Sequence, residues 1–229
     1  MKFQRSPKGF TLIELLVVIS IIAILASLAI PASIGVVERA NQMKSVSNAK
    51  NIYLGLKMYS GDNDGNFPGT AATPDSNTAF RSVVPAYLAS EKVFYVSSAK
   101  FYTKTSPDDN TAGAEALKAG ENAYAFVEGL SDSSNPSYPL IADGFSAVPG
   151  TYAADPNAAG GVWKGKAAVV VRVDGSAKTE RCDATYQVVG AVGTAATANI
   201  FTSRVAAGAD TGWIPGTLIL NPIAAPAAP

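Results

Sequence analysis

Histidine is absent from the 229 residues. That removes Ser-His-Asp and Cys-His catalysis, and with them the commonest zinc ligand. Cysteine occurs once, at Cys182, so no disulfide can close within a single chain. Outside the cytoplasm, stability must then come from packing, a bound ion or neighbouring subunits. Net charge is lacking too. Eighteen basic residues balance eighteen acidic ones, so no global field draws the chain to nucleic acid, and none is expected among its partners. No internal repeat is apparent. At 48% hydrophobic residues, the length suits one domain with a core plus an anchor.

The charge that exists is unevenly placed. Lys2, Arg5 and Lys8 fall in the first nine residues, leaving a mildly acidic remainder. Directly after them, Phe10 to Ile30 reads FTLIELLVVISIIAILASLAI, with Glu14 its one charge. As a helix this run rises about 31 Å, close to the hydrocarbon thickness of a bilayer. The upstream cations favour keeping the N-terminus in the cytoplasm. A plain signal anchor fits the run. A secretory signal peptide fits it less well, since its apolar region is shorter and ends at a small-residue cut site. Neither accounts for Glu14. A carboxylate deep in a membrane helix costs roughly 3 kcal/mol and usually marks a function; one turn from the end it can also snorkel to the headgroups.

The segment Lys8-Gly9-Phe10-Thr11-Leu12-Ile13-Glu14-Leu15 resembles the recognition site of prepilin peptidase, found in type IV pilins and type II secretion pseudopilins. The resemblance implies cleavage between Gly9 and Phe10 and N-methylation of the new Phe10 amine. It also implies a role for Glu14 in assembly, where the acid of an incoming subunit meets the amine of its neighbour. Gly9 has no side chain, so a protease can draw the backbone close. Pro31, without an amide hydrogen, is expected to kink the helix, and pilins often carry a proline at this distance from the cut.

Beyond Pro31 the helical pattern resumes. Val36, Val37, Ala40, Met43, Val46, Ala49, Ile52, Tyr53, Leu56 and Tyr59 recur at steps of mostly three or four and predict one apolar face. Gly61-Asp62-Asn63-Asp64-Gly65 predicts its end. The stretch from Leu56 through Asn66-Phe67-Pro68 is similar to the helix-to-loop junction of the major pseudopilin, so the resemblance covers about the first seventy residues. Five parts follow: a leader at 1–9, a transmembrane segment at 10–30, an amphipathic outer half at 31–61, a head domain at 62–221 and a Pro/Ala-rich tail at 222–229, expected to fray.

In the head, one or two helical turns are expected over 114–119. Strands are expected over 123–127, 138–142 and 167–173, the last turning at Asp174-Gly175 into 176–179. Further strand-like pieces are 186–189, 200–205 and 217–220. The expectation for the whole is α+β: a long N-terminal helix, transmembrane in its first half, packed on a C-terminal antiparallel β-sheet domain, in agreement with the pilin fold.

Other candidate sites have plain alternatives. Asp62, Asp64 and Asn66 offer oxygens of the kind calcium takes, but not at EF-hand spacing, and a helix-ending turn accounts for them. No other cofactor is expected. Major pseudopilins have a calcium loop later in the chain whose ligands do not match here, which leaves Asp143, Asp155, Asp174 and Asp183 unranked. Asp210-Thr211-Gly212 matches the core of aspartic proteases without their hydrophobic lead-in. Gly165-Lys166 lacks P-loop spacing and reads as a turn. Trp163 and Trp213 suit core or interface packing better than sugar stacking. Cys182 reads as an unpaired thiol.

Together these features predict a structural subunit rather than an enzyme. The resemblance implies a type II secretion pseudopilus, with prepilin peptidase, other copies of the chain, minor pseudopilins, the inner-membrane assembly platform and, before assembly, membrane lipid as partners. It places the chain as a single-pass inner-membrane protein with a cytoplasmic leader and a periplasmic head. A pilus fibre for adhesion, motility or DNA uptake, and an anchored glycan- or ion-binding module, remain alternatives.

Overall fold

The first element is α1 (Leu12–Asp62). The computed structural model describes residues 9–69, 73–104, 106–192, 195–204, 214–215 and 219–226, without the side chains of 28–34, 191–192, 195–197, 203–204 and 215. Two compact units divide between Ala40 and Asn41.

In the first unit, every side chain from Gly9 to Ser27 is exposed. Ser20 and Ser27 turn their hydroxyls onto the Val17 and Ile24 carbonyls at 2.7 Å, which satisfies them without water. Val36 and Val37 are exposed as well, so the expected apolar face is not covered here. Among the described residues no helix is long and apolar enough to cross a membrane. The described side chains stop at Ser27, whereas the apolar run in the sequence continues to Ile30. Helical backbone continues through Pro31, whose side chain lies outside the description.

In the second unit the helical stripe is buried. Ala49, Ile52, Tyr53 and Leu56 enter the core, and Val46 and Tyr59 pack at its edge; Met43 stays exposed. Ser45 and Ser60 complete the stripe as buried polar residues. Ser45 Oγ lies 2.9 Å from the Tyr124 hydroxyl, which itself donates to the Ser45 carbonyl at 3.0 Å. The helix ends as expected. Asp64 (φ 53°) and Gly65 (φ 79°) turn left-handed, and the Gly65 amide reaches back to the Ser60 carbonyl at 2.8 Å.

The head carries α2 (Ser76–Arg81), β1 (Tyr124–Val127), β2 (Pro139–Asp143), β3 (Ala167–Arg172), β4 (Ala177–Arg181), β5 (Val189–Val192), β6 (Ala195–Asn199), β7 (Ser203–Arg204), β8 (Ile214–Pro215) and β9 (Ile219–Leu220). The main sheet has the order β4-β3-β2-β1-β9 with every pairing antiparallel. This is an α+β fold with an N-terminal helix and a C-terminal antiparallel sheet, consistent with a pilin-like fold. β5 and β6 form a separate hairpin, while the two-residue β7 and β8 pair in parallel. Consecutive apolar runs on β1, β2 and β3 are buried on both faces; β4 meets solvent with Lys178, Thr179 and Arg181, two of them charges that protect an edge strand.

Several expectations shift. The 3-10 turn at Gly113–Glu115 starts one residue before the expected helical stretch and ends four short of it. β5 begins three residues later than the expected 186–189, and of the expected strand over 200–205 only Ser203–Arg204 forms within the description. Residues 217–218, and 227–229 of the tail, lie outside the described residues. The tail does not fray as far as Pro226. The Ile223 amide donates to Asn77 Oδ1 at 3.1 Å, and the Ala225 amide donates to the Phe101 carbonyl at 3.1 Å.

The β3–β4 turn is where the helix docks. The Tyr53 hydroxyl donates to the Val173 carbonyl at 2.8 Å, and Lys50 Nζ donates to the Gly175 carbonyl. Gly175 sits at φ 77°, and a Cβ there would fall 2.5 Å from the Tyr53 ring. Gly175→Ala should therefore destabilise the full chain by about 1–3 kcal/mol in denaturant melts. Gly113, at φ 54° over open space, supplies the control. Gly113→Ala should cost only backbone strain, and equal losses at both positions would refute the close Tyr53 contact.

Candidate functional site

Gly9 and Phe10 lie in exposed, non-helical backbone just before α1, with Phe10 74% exposed. Among the described residues a Cβ placed on Gly9 would meet nothing within 4 Å. The described part of the chain thus leaves room for a side chain there. Gly9→Val is expected to leave thermal unfolding unchanged while blocking removal of the leader, read as the mass of the mature chain. A normal cut in that variant would contradict a peptidase that needs glycine.

Glu14 does more in the single chain than a lone acid would. Its Oε2 accepts the Thr11 amide at 2.9 Å and the Thr11 hydroxyl at 2.6 Å, while Thr11 Oγ1 accepts the Glu14 amide at 3.3 Å. Thr11 precedes the first helical residue, and Glu14 is the third. This is a capping box, in which two amides of the open helix end are satisfied reciprocally. Its sequence signal, Thr11-x-x-Glu14 ahead of an apolar run, was readable and bears on how Glu14 is tested.

Residues 4–30 match the model of the prokaryotic N-terminal methylation motif. The match supports a type IV pilin-like, prepilin-processed N-terminus. The match holds the cut site, the capping box and the apolar run together, and such a motif implies processing by a prepilin peptidase and self-assembly into filaments. No curated protein and no solved structure matches the chain. The matched segment includes 4–8, outside the described residues, as are Lys2, Arg5 and Lys8 of the leader.

The remaining sequence candidates fall into structural places. Asp62 accepts the Tyr87 hydroxyl at 2.9 Å, and Asn66 Nδ2 donates to the Asn63 carbonyl at 3.3 Å. Among the described residues no group of three acids forms around Asp62 and Asp64. Asp155, Asp174 and Asp183 each accept amides two residues ahead, as turn formers do. Asp143 is buried in the core, where its Oδ2 accepts Trp163 Nε1 at 2.7 Å and the Val169 amide at 2.6 Å. Lys164 and Gly165 form a left-handed turn leading into β3. Cys182 is free and half-buried; burial first, then the Asp143 and Asp183 carboxylates, push its thiol up to about 12. Asp210, Thr211, Gly212 and Trp213 lie outside the described residues.

The structure also assembles a group that the sequence did not reveal. One carboxylate oxygen from each of Glu91, Asp108 and Glu121 lies within 4.8 Å of the others. Glu91 is fully buried, and its Oε1 accepts the Leu117 amide at 2.7 Å. Glu121 Oε2 accepts the Lys118 amide at 2.6 Å. Burial raises the pKa of Glu91 above the ordinary carboxyl range; the Leu117 amide opposes this, and Glu121, Asp108 and Asp109 add to it. The three acids lie 17 and 13 residues apart in the chain, a spacing with no motif.

Proposed function

We propose that the chain is a non-enzymatic shaft subunit of a type II secretion pseudopilus. It is anchored in the inner membrane until leader removal and methylation at Phe10, and then polymerises through its N-terminal helix. The observation that carries this reading is the joined arrangement at the N-terminus: an exposed Gly9–Phe10 bond, a capping box holding Glu14 one turn away, and an apolar rod exposed on all sides. Such a rod needs lipid or other helices around it. The run of 21 residues from Phe10 to Ile30 and the three leader cations support a single span with the head outside.

Cleavage removes three cations and leaves one amine on Phe10 near Glu14. Each charge is costly in an apolar bundle unless paired. Glu14 of an incoming subunit neutralises the amine of its neighbour, which fixes the axial register. Retention of Glu14 supports a shaft position, since a tip subunit has no neighbour ahead. The junction from Leu56 to Pro68 supports secretion over a pilus fibre by its likeness to the major pseudopilin.

Deleting the gene in its native host separates these uses. Loss of exported protein with motility and DNA uptake intact is expected. Loss of motility or uptake with export intact would overturn the secretion reading.

A further inference from the structure

We propose that Glu91, Asp108 and Glu121 bind a calcium ion that ties together three segments of the head. This goes beyond the filament role and does not depend on it. Glu91 opens a 3-10 turn (Glu91–Phe94), Asp108 lies in the loop after it, and Glu121 closes the turn leading into β1. Opposite oxygens across a calcium ion with bonds of about 2.4 Å stand about 4.8 Å apart. The three carboxylates meet that limit.

A second, independent observation points to a ligand. Glu91 Oε2 is buried without a hydrogen-bond partner, on a residue with no exposed surface. A carboxylate oxygen left so among other acids is expensive unless a cation or proton meets it. The surroundings hold the acids in place. Asp109, at φ 66°, accepts the Glu91 amide and the Ser90 hydroxyl at 2.9 and 2.8 Å. Lys92 pairs with Asp109 Oδ2 at 3.0 Å, and Lys118 with Asp108 Oδ2 and Glu115 Oε2 at 3.0 Å each, while Asp108 Oδ1 accepts the Asn110 amide at 2.9 Å.

The donor set selects the metal. Three carboxylates without imidazole or thiol suit a hard cation, and no histidine exists to recruit zinc. Calcium tolerates an irregular shell completed by backbone carbonyls and water. Magnesium demands a near-octahedral one and gives up water reluctantly.

The test uses the full-length chain in detergent, stripped with chelator and titrated with calcium chloride by calorimetry, with melting followed in parallel. One saturable calcium per chain is expected, with Tm raised by about 5 °C or more at a hundredfold excess over Kd. Glu91→Gln keeps an acceptor for the Leu117 amide and should abolish the shift. Asp108→Asn, on an exposed residue, keeps an acceptor for the Asn110 amide and should weaken calcium affinity about tenfold or more. Absence of both heat and Tm shift in the parent chain overturns the site. So does calcium binding that survives unchanged in Asp108→Asn, and so does an equal shift from magnesium chloride at the same concentration.

Discussion

Glu14→Gln is expected to be cleaved and methylated like the parent chain, and yet to fail to assemble. The variant separates the cap that Glu14 forms from the charge pairing proposed for it. As a cap, Glu14 satisfies the Thr11 amide and hydroxyl through Oε2. Glutamine serves that position of a capping box as well as glutamate does, so the helix start survives. As the proposed counter-charge, Glu14 would meet an amine where little water reaches, and glutamine carries no charge. Leaving a buried amine unpaired costs about 3–5 kcal/mol, which lowers subunit association more than a hundredfold. Glu14→Ala loses both duties, adding a cap loss of about 1 kcal/mol. Filament yield from sheared cells, beside the amount of processed subunit in the membrane, is the measurement. Normal filaments from the glutamine variant, with poor ones from the alanine variant, would assign Glu14 to capping and refute charge pairing.

The second large effect lies in the core. Burial pushes the Asp143 carboxyl up to about 7, against the opposing Val169 amide, Trp163 indole and Ser45 hydroxyl. In the folded chain Asp143 thus holds its proton to higher pH than in the unfolded one, where it ionises near 4. Between about pH 4 and pH 7 the folded state binds more protons, so this group's stabilisation is full at the acid end and is lost as pH rises. The difference amounts to about 4 kcal/mol across the window. Glu91 and Glu128, both buried and both raised chiefly by desolvation, contribute slope of the same sign.

Asp143→Asn offers one oxygen to the same two donors, Trp163 Nε1 and the Val169 amide, with no proton to lose. Between pH 5 and pH 8 the parent loses about 2.7 kcal/mol of this stabilisation, so relative to it the variant's Tm should rise by about 5–10 °C. The comparison is made with chelator present, so that calcium is not a variable. Parallel curves for the two proteins would show that Asp143 does not titrate in this range.

What the sequence disclosed depended on how local each signal was. β1, β2 and β3 are continuous apolar runs, and Val169, Val170 and Val171 could hardly sit elsewhere than in a core strand. The helix stop at Asp64-Gly65 was written in residues that adopt positive φ. By contrast β5 starts late because Asp183 gathers the Thr185 and Gln187 amides and turns Tyr186 to φ 62°, which uses up residues that looked extended. β6 has the composition Ala-Ala-Thr-Ala-Asn, without the branched alternation that marks a strand. α2 went unread because Ser76 and Asn77 look like loop residues. They are buried, and Asn122 bridges them by donating to Ser76 Oγ and Asn77 Oδ1 at 3.0 and 3.1 Å. At the N-terminus the cut site, the acid and the capping box of Thr11 and Glu14 all lie within one short motif. Glu91, Asp108 and Glu121 meet only through long-range folding, which no reading of spacing supplies.

Mass spectrometry of the N-terminus of the chain recovered from its native membrane bears most directly on this account. A first peptide beginning at Phe10, heavier by one methyl group, is the expected result. A chain that keeps Met1, or one that starts near Ile30, would contradict prepilin processing and the filament built upon it.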